Sequence, residues 1–313
     1  MSDVIRVDPT VQDDIRRDAD PVMPCGIAPP GYRLPTPTRL GHVSLQVADL
    51  QRSIDYYQGV LGLHAIERTS TTATLGTQDC DTALVQLMAR AGANASPQHG
   101  RLGLYHFAIL LPDRAALGRF VTHLGNVGAR AGASDHLVSE ALYLSDPDGL
   151  GIELCADRPR NQWQRIDRQL RMASEPLDLA DLVRAAGGVP WSGMPAGTVM
   201  GHVHLHVGDL EQAAAFYHSA LGLDKMVWDF PRALFLAAGG YHHHLGINTW
   251  AGANAPRPTD ADARLLEWRI VLPSAADVQR AAASLSAAGH VVAAEGGDCI
   301  ATDPWGTRVR LLV

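Results

Sequence analysis

The sequence lacks the features that mark several large classes of protein. Its 313 residues contain no run of lysine and arginine and carry a net charge of −7, whereas nucleic-acid phosphates require clustered positive charge. No apolar stretch approaches membrane-spanning length, and the acidic, proline-dotted N-terminus does not resemble a signal peptide. Four cysteines form neither a CxxC pair nor a disulfide framework, which favours a reducing compartment. We therefore expect a cytoplasmic protein that binds a small molecule and has neither nucleic acid nor membrane as a partner.

Several catalytic signatures are also missing. The chain has no GxSxG nucleophile motif, no Walker-type phosphate loop, no HExxH zinc motif and no dinucleotide fingerprint. Nucleophilic, phosphoryl-transfer and hydride chemistry therefore have no support in the sequence.

What the sequence does contain is an internal duplication. The string HVSLQVADLQRSIDYYQGVLGL from His42 recurs as HVHLHVGDLEQAAAFYHSALGL from His202, a spacing of 202 − 42 = 160 residues. A weaker pair follows each copy: YHFAILLP and DPDGLGIEL behind the first, LEWRIVLP and DPWGTRVRL behind the second. The chain is therefore built from four modules. Each module is predicted to be a βαβββ unit, and the fold class to be α+β.

Local signals indicate the elements of a module. Polar and apolar residues alternate over 42–47, which is the period of a half-buried strand. Asp49 is placed to cap the helix that follows, and Gly62 to end it. The equivalent helix of module two is expected at about 115–127.

The domain boundaries follow from the repeat and from changes in composition. Residues 1–37, rich in charge and then in proline, indicate an N-terminal arm. Modules one and two give a first domain at 38–157, and modules three and four a second at 198–313. Between them, 158–197 is predicted to be a connector with a short helix at 178–186.

Metal-binding residue types survive in one copy and not in the other. His106 opens the first strand of module two and Glu153 lies in its last strand, whereas module four has Glu267 and Arg310 there. A lone histidine is more often a hydrogen-bonded core residue, but this contrast favours a retained site. A histidine and a carboxylate on strands are two of the three ligands of a facial triad, which leaves iron(II) positions open for substrate and oxygen.

The stretch DHLVSEALYLSDPDGLGIE resembles the signature of the type I extradiol ring-cleaving dioxygenases of the vicinal oxygen chelate superfamily, which also includes glyoxalases and bleomycin resistance proteins. The signature positions are filled in order by His136, Leu142, Tyr143, Asp146, Pro147, Gly149 and Glu153. Ser134 departs from the pattern, outside the chemical positions. Over 38–313 the chain also resembles the two-domain catechol 2,3-dioxygenases of the Bacillus type, through YHFAILLP, GHVHLHV and GGYHHHLGINTW.

The resemblance implies a fold, a reaction and roles. Four modules would form two vicinal oxygen chelate domains, and the protein would use Fe(II) and O2 to open a small aromatic diol in aromatic hydrocarbon catabolism. Manganese(II) stays open, since the same ligands serve both ions. Glu153 would bind the metal, His136 would be the acid/base and Tyr143 would donate a hydrogen bond to substrate. We also expect a homo-oligomer.

Two histidines compete to be the third ligand. His42 would complete the site if modules one and two share it, and His202 if modules two and three do. Only the strand after His202 offers further histidines, in GYHHHLG. Three adjacent histidines are often a solvated loop, yet the family places a catalytic histidine here, so His243 and His244 are candidates. We therefore predict His202 as the ligand.

Two other functions stay open. A glyoxalase-like metal lyase or isomerase generally has four protein ligands with two carboxylates, but the position expected for the extra carboxylate holds His244 or its neighbour. A metal-free small-molecule or drug-binding protein would not need the His and Glu positions that module two retains. Modules one and four, in this interpretation, would hold a Glu267–Arg310 ion pair instead of a metal.

Overall fold

The computed structural model describes residues 25–78, 82–97, 100–252 and 254–313. Module one and the segment before it contain β1 (Arg39–Leu40), β2 (Val43–Val47), α1 (Leu50–Gly59), β3 (His64–Arg68), β4 (Thr72–Gly76) and β5 (Ala83–Ala89). Module two contains β6 (Gly103–Leu110), α2 (Arg114–Val127), β7 (Gly132–Asp135), β8 (Ser139–Ser145) and β9 (Gly151–Asp157). The connector contains a 3-10 turn (Arg160–Gln162), β10 (Arg165–Ile166), β11 (Gln169–Leu170) and α3 (Leu179–Ala185).

The second half repeats this order. Module three contains β12 (Val199–His206), α4 (Leu210–Ala214) with a π-helical continuation (Ala215–Ala220), β13 (Asp224–Val227), β14 (Ala233–Ala237) and β15 (Leu245–Asn248). Module four contains β16 (Arg264–Val271), α5 (Ala275–Ala287), β17 (Val292–Glu295), β18 (Asp298–Thr302) and β19 (Arg308–Leu312). The predicted α+β fold of four βαβββ modules is confirmed.

Each module helix begins at a side-chain cap. Asp49, Asp113, Asp209 and Ser274 each accept a hydrogen bond from the backbone N–H three residues later. Such a cap satisfies an N–H group that a helix leaves unpaired and stabilises the protein by about 1 kcal/mol. The cap predicted at Asp49 is confirmed, and the helix predicted at 115–127 is α2.

The sheets join modules from different halves of the chain. An eight-stranded sheet has the order β13-β14-β15-β12-β6-β9-β8-β7, and a nine-stranded sheet has the order β17-β18-β19-β16-β2-β5-β4-β3 with β1 beside β16. The central contacts are antiparallel, between β12 and β6 in the first sheet and between β16 and β2 in the second. Modules two and three therefore share one sheet, and modules one and four share the other. The halves predicted at 38–157 and 198–313 each contribute to both sheets, and their division into two domains stays a prediction about the sequence.

A buried aspartate holds the turn before the last strand of module two. One carboxylate oxygen of Asp146 accepts from the backbone N–H of Leu150, and the other lies 3.3 Å from the hydroxyl of Tyr57. Gly149 has φ +82°, and a Cβ there would lie 2.3 Å from the carbonyl oxygen of Ser96. The turn therefore needs glycine and sets how β9 enters the sheet. Module four repeats the aspartate contact with Tyr217 and Asp303, at 2.9 Å.

The arm and the connector both pack on the modules. Residues 1–24 of the predicted arm lie outside the described residues, but Arg33 makes a bidentate ion pair with Asp224 in module three. The helix predicted at 178–186 is α3, which approaches α2 so closely that a Cβ on Gly118 would lie 2.1 Å from the carbonyl oxygen of Leu182. None of the described helices is long and apolar enough to cross a membrane.

Candidate metal centre

Three side chains from three adjacent strands converge in the eight-stranded sheet. They are His106 on β6, Glu153 on β9 and His202 on β12. Glu153 Oε2 lies 3.0 Å from His106 Nε2 and 3.2 Å from His202 Nε2, and the two ring nitrogens are 3.3 Å apart. All three residues are buried, with 1–5% of their surface exposed. Within the described ranges this is the one group of three or more His, Cys, Asp or Glu side chains with converging ligand atoms.

Strand order explains the convergence. β6 lies between β12 and β9 and carries His106 at the centre of the sheet. Gly151 allows β9 to approach, because a Cβ there would lie 2.0 Å from the carbonyl oxygen of Tyr105. Glu153 thus reaches His106 through the β6–β9 pairing within module two, and His202 reaches both through the β12–β6 pairing of modules three and two.

The donor set fits a divalent transition-metal ion. A cation about 2.1 Å from three atoms in adjacent octahedral positions needs those atoms about 3 Å apart, close to the spacing found here. Burial of the Glu153 carboxyl opposes its ionisation, but the neighbouring His202 and His106 hold its pKa well below its usual range. Its Oε1 atom is buried without a hydrogen-bond partner. A buried carboxylate beside two imidazoles is thus ready to bind a cation.

His136 and Tyr143 form a relay at the edge of this triad. Tyr143 lies opposite Glu153 in the β8–β9 pairing, and its hydroxyl is 2.5 Å from His136 Nε2. His136 Nδ1 lies 2.7 Å from the carbonyl oxygen of Ala173, which can only accept, so Nδ1 carries a proton. In the neutral ring, Nε2 therefore accepts from the Tyr143 hydroxyl. Burial raises the pKa of Tyr143 well above its usual range, which keeps that hydroxyl protonated.

The three adjacent histidines of GYHHHLG have different surroundings. His243 lies beside His202, with ring centroids 4.0 Å apart and the ring planes tilted by 38°, and it lines the cavity of the triad. His242 is fully buried and pairs with Asp157 at 2.9 Å. His244 does not line this cavity: its Nδ1 accepts from a backbone N–H at 3.2 Å, and its ring lines a separate cavity. The solvated-loop interpretation is wrong, since all three are buried.

The cavity at the triad has a volume of about 250 Å³ and aromatic walls. Its described lining includes Phe230, Phe235, Trp250, His204, Met172, Ala173 and Ser174. Trp250 lines this cavity, whereas Trp228 and Tyr241 do not. His204 was missed, although the alternation of His202, His204 and His206 places all three on one face of β12. No sequence pattern predicts that Met172, Ala173 and Ser174 of the connector line the cavity.

The equivalent positions of the nine-stranded sheet hold an ion pair. Arg310 Nε lies 2.6 Å from one carboxylate oxygen of Glu267, and Arg310 Nη2 lies 3.1 Å from the other, which confirms the predicted pair. His42 stands nearby with its Nε2 atom buried and unpartnered, and burial lowers its pKa to about 4. A guanidinium therefore stands where a second metal site would need a carboxylate.

The model of the Glyoxalase/Bleomycin resistance protein/Dioxygenase superfamily matches residues 39–154 and 199–311. The chain belongs to this superfamily. Within it, a Bacillus subtilis (strain 168) protein named catechol-2,3-dioxygenase is 44% identical over 260 residues, which cover 82% of this chain and 90% of the relative. A lactoylglutathione lyase of Neisseria meningitidis serogroup A is 31% identical over 123 residues, or 37% of this chain and 88% of the lyase.

Solved structures agree with the superfamily fold. A candidate dioxygenase from Bacillus subtilis subsp. subtilis str. 168 superposes with TM-score 0.61 at 12% identity, covering 90% of this chain and 86% of that one. A glyoxalase I variant from Zea mays gives TM-score 0.54 at 22% identity, covering 88% and 93%. At these identities the likeness concerns the fold.

Proposed function

We propose that this protein is an Fe(II)- and O2-dependent extradiol dioxygenase that opens a catechol-like ring. The supporting observation is the buried triad of His106, Glu153 and His202 beside an aromatic-walled cavity. The 44% identity to a protein named catechol-2,3-dioxygenase, over most of both chains, favours the same reaction.

The three ligands would hold the metal on one face and leave the cavity side open. Iron(II) bound there would act as a Lewis acid toward both diol oxygens and would supply the redox chemistry that O2 needs. Phe230, Phe235 and Trp250 would flank the ring and exclude water, which strengthens polar contacts in the cavity. Manganese(II) would use the same ligands.

The relay of His136 and Tyr143 would manage protons. A diol loses a proton when it binds as an anion, and the ring-opened product needs one back. His136 Nε2 is the basic atom of this relay, because the carbonyl of Ala173 holds the proton on Nδ1. Tyr143 contacts both His136 and the triad, so its hydroxyl would carry protons between the diol and His136 Nε2. His243, beside His202, would contact the substrate from the cavity wall, whereas His244 lines a separate cavity and has no part in the proposed reaction.

The lyase alternative lacks a required group. A two-carboxylate site needs a second Asp or Glu at the metal, and among the described residues lining the cavity Glu153 is the one that carries a carboxylate. A metal-free binding protein would leave the buried carboxylate uncompensated by a cation. Both observations favour the dioxygenase.

One experiment separates these functions. The purified chain is loaded anaerobically with Fe(II), metal per chain is measured, and oxygen uptake and product mass are followed after catechol is added. We expect one iron per chain and a product heavier than catechol by two oxygen atoms, with both iron and uptake lost in Glu153→Ala and His106→Ala. Nickel or zinc without uptake would indicate the lyase, and a metal-free protein would indicate the binder. The cytoplasmic location, the homo-oligomeric state and the role in aromatic hydrocarbon catabolism stay predictions.

A further inference from the structure

A polar chain inside the eight-stranded sheet leads to the wall of the metal cavity. His206 Nδ1 lies 2.6 Å from Asn248 Oδ1, and Asn248 Nδ2 lies 2.9 Å from His204 Nε2. Asn248 is fully buried and His204 nearly so. The His204 ring lines the cavity, with its centroid 5.0 Å from that of His106.

The protonation state of His204 follows from a backbone donor. The N–H of Trp250 lies 3.0 Å from Asn248 Oδ1, and since a backbone N–H can only donate, this oxygen assignment of the amide is fixed. The Asn248 amide N–H must then donate to His204 Nε2. A ring that accepts at Nε2 is neutral and carries its proton on Nδ1. Among the described residues no hydrogen bond is made at Nδ1, so a ring that lines the cavity carries a donor without a protein acceptor.

The position of the His204 ring is set by a glycine on the neighbouring strand. His204 pairs with Gly246 and His206 with Asn248 in the β12–β15 register. A Cβ on Gly246 would lie 2.8 Å from Cγ of His204 and 2.9 Å from its Nδ1, which leaves no room for any other residue. The ring thus lies flat against bare backbone.

The other sheet lacks this arrangement at equivalent positions. There Ser44 pairs with Gln86, and Gln46 with Met88, in the β2–β5 register. Ser44 Oγ and Gln86 Oε1 bond to each other at 2.8 Å, and no imidazole is present. Of the two sheets, only the one that holds the triad combines His204, Gly246 and Asn248 at these positions. The combination is therefore not required by the fold and is associated with the site.

We propose that His204 contacts the substrate, presenting its Nδ1–H to an oxygen of the bound diol, and that Asn248 is the positioning residue that keeps the proton on that atom. This inference rests on the proposed function, since it names a further contact of the same site. A neutral donor favours an anionic oxygen without adding charge to the cavity. Asn248 acts by forbidding the other tautomer, in which Nδ1 would repel the same oxygen.

The test measures diol binding apart from turnover. Wild-type and variant proteins are loaded with Fe(II) under anaerobic conditions, and the dissociation constant of 4-nitrocatechol is measured by absorbance together with iron per chain. His204→Phe removes the donor. His204→Asn restores an N–H near the place of Nδ1. Asn248→Asp has nearly the same shape but, when ionised, can only accept, so a neutral His204 ring must then carry its proton on Nε2; binding is measured at high pH, where the ring is neutral. Ser44→Ala is the matched control in the other sheet.

We expect His204→Phe and Asn248→Asp to retain iron and to bind 4-nitrocatechol about 10- to 100-fold more weakly. His204→Asn should stay within about threefold of the wild type, and Ser44→Ala should be unchanged. A purely structural His204 would give no rescue by asparagine, and that pattern overturns the proposal. So does wild-type affinity in iron-loaded His204→Phe, or, if that variant does not fold, in Asn248→Asp. A wild-type protein that binds neither iron nor 4-nitrocatechol refutes the proposed function itself.

Discussion

The pairing of modules two and three predicts opposite effects of mutation at two equivalent histidines. His202 and His42 occupy equivalent positions in the two copies of the repeat, but His202 lies 3.2 Å from Glu153 Oε2 whereas His42 lies near the Glu267–Arg310 pair. We predict that His202→Ala loses the metal and turnover and that His42→Ala keeps both.

The magnitude follows from the linkage between metal binding and stability. A metal at 100 times its dissociation constant stabilises the folded protein by about 2.7 kcal/mol, and a site weakened 100-fold retains only about 0.4 kcal/mol of this. His202→Ala should therefore lose roughly 2.3 kcal/mol of the stabilisation that metal produces. His42→Ala should keep it, with a metal-free stability within about 1 kcal/mol of wild type, because lost packing is offset by removal of a buried, unpartnered Nε2.

Urea unfolding with and without Mn(II), a redox-stable probe of the same ligands, measures these differences directly. Metal per chain after gel filtration gives an independent reading. A metal-dependent shift that persists in His202→Ala and disappears in His42→Ala would refute the assignment and place the site in the N-terminal half. A partial loss of the shift in both variants, with some metal retained in each, would mean that the nine-stranded sheet also binds metal, contrary to the position of Arg310.

Three further predictions concern the relay, the ion pair and the buried turn. His136→Phe should keep its iron but lose about two to four orders of magnitude in kcat; near-normal oxygen uptake would show that the ring is structural. Arg310→Met should lower the free energy of unfolding by about 3 kcal/mol, because it leaves Glu267 buried with only two longer arginine contacts, while metal content stays normal; unchanged urea unfolding would contradict this. Burial raises the pKa of Asp146 from 3.8 to about 7, so folding favours its protonated form and wild-type stability should fall, relative to Asp146→Asn, as the pH rises from 4 to 7. The slope is at most about 1.4 kcal/mol per pH unit, and a difference that does not change with pH would show that the turn holds an ionised Asp146.

The duplication made much of the fold predictable. Four copies of a strand, a capped helix and further strands follow from alternation, from Asp49 and its equivalents, and from the spacing of 160 residues between His42 and His202. Periodicity does not predict which modules pair. The first strands of the four modules are alike, so each could pair with the first strand of any other module. Chemical completeness favoured modules two and three, because only module three brings histidines such as His243, and the structure does pair these modules.

The rest of the site depends on backbone positions that side-chain patterns do not encode. The carbonyl of Ala173, which fixes the proton of His136, comes from an irregular part of the connector where no period applies. His243 and His244 are adjacent and chemically identical, and only the conformation before β15 decides which one faces the triad. His204 could have been predicted from the sequence, since it shares a strand face with His202. Its partner Asn248 could not, because their contact depends on the register of β12 and β15.

The two sheets compensate a buried carboxylate in two different ways. In the eight-stranded sheet, Glu153 is buried beside the imidazoles of His106 and His202, and these three side chains together fit an added cation. In the nine-stranded sheet, Glu267 has a guanidinium from Arg310 in bidentate contact, so its charge is already met within the chain. A buried carboxylate must be compensated in either case, and an internal arginine does so permanently, whereas a metal leaves coordination positions open. An arginine at the position equivalent to Glu153 therefore precludes a metal site in the nine-stranded sheet, while the module fold around it stays the same.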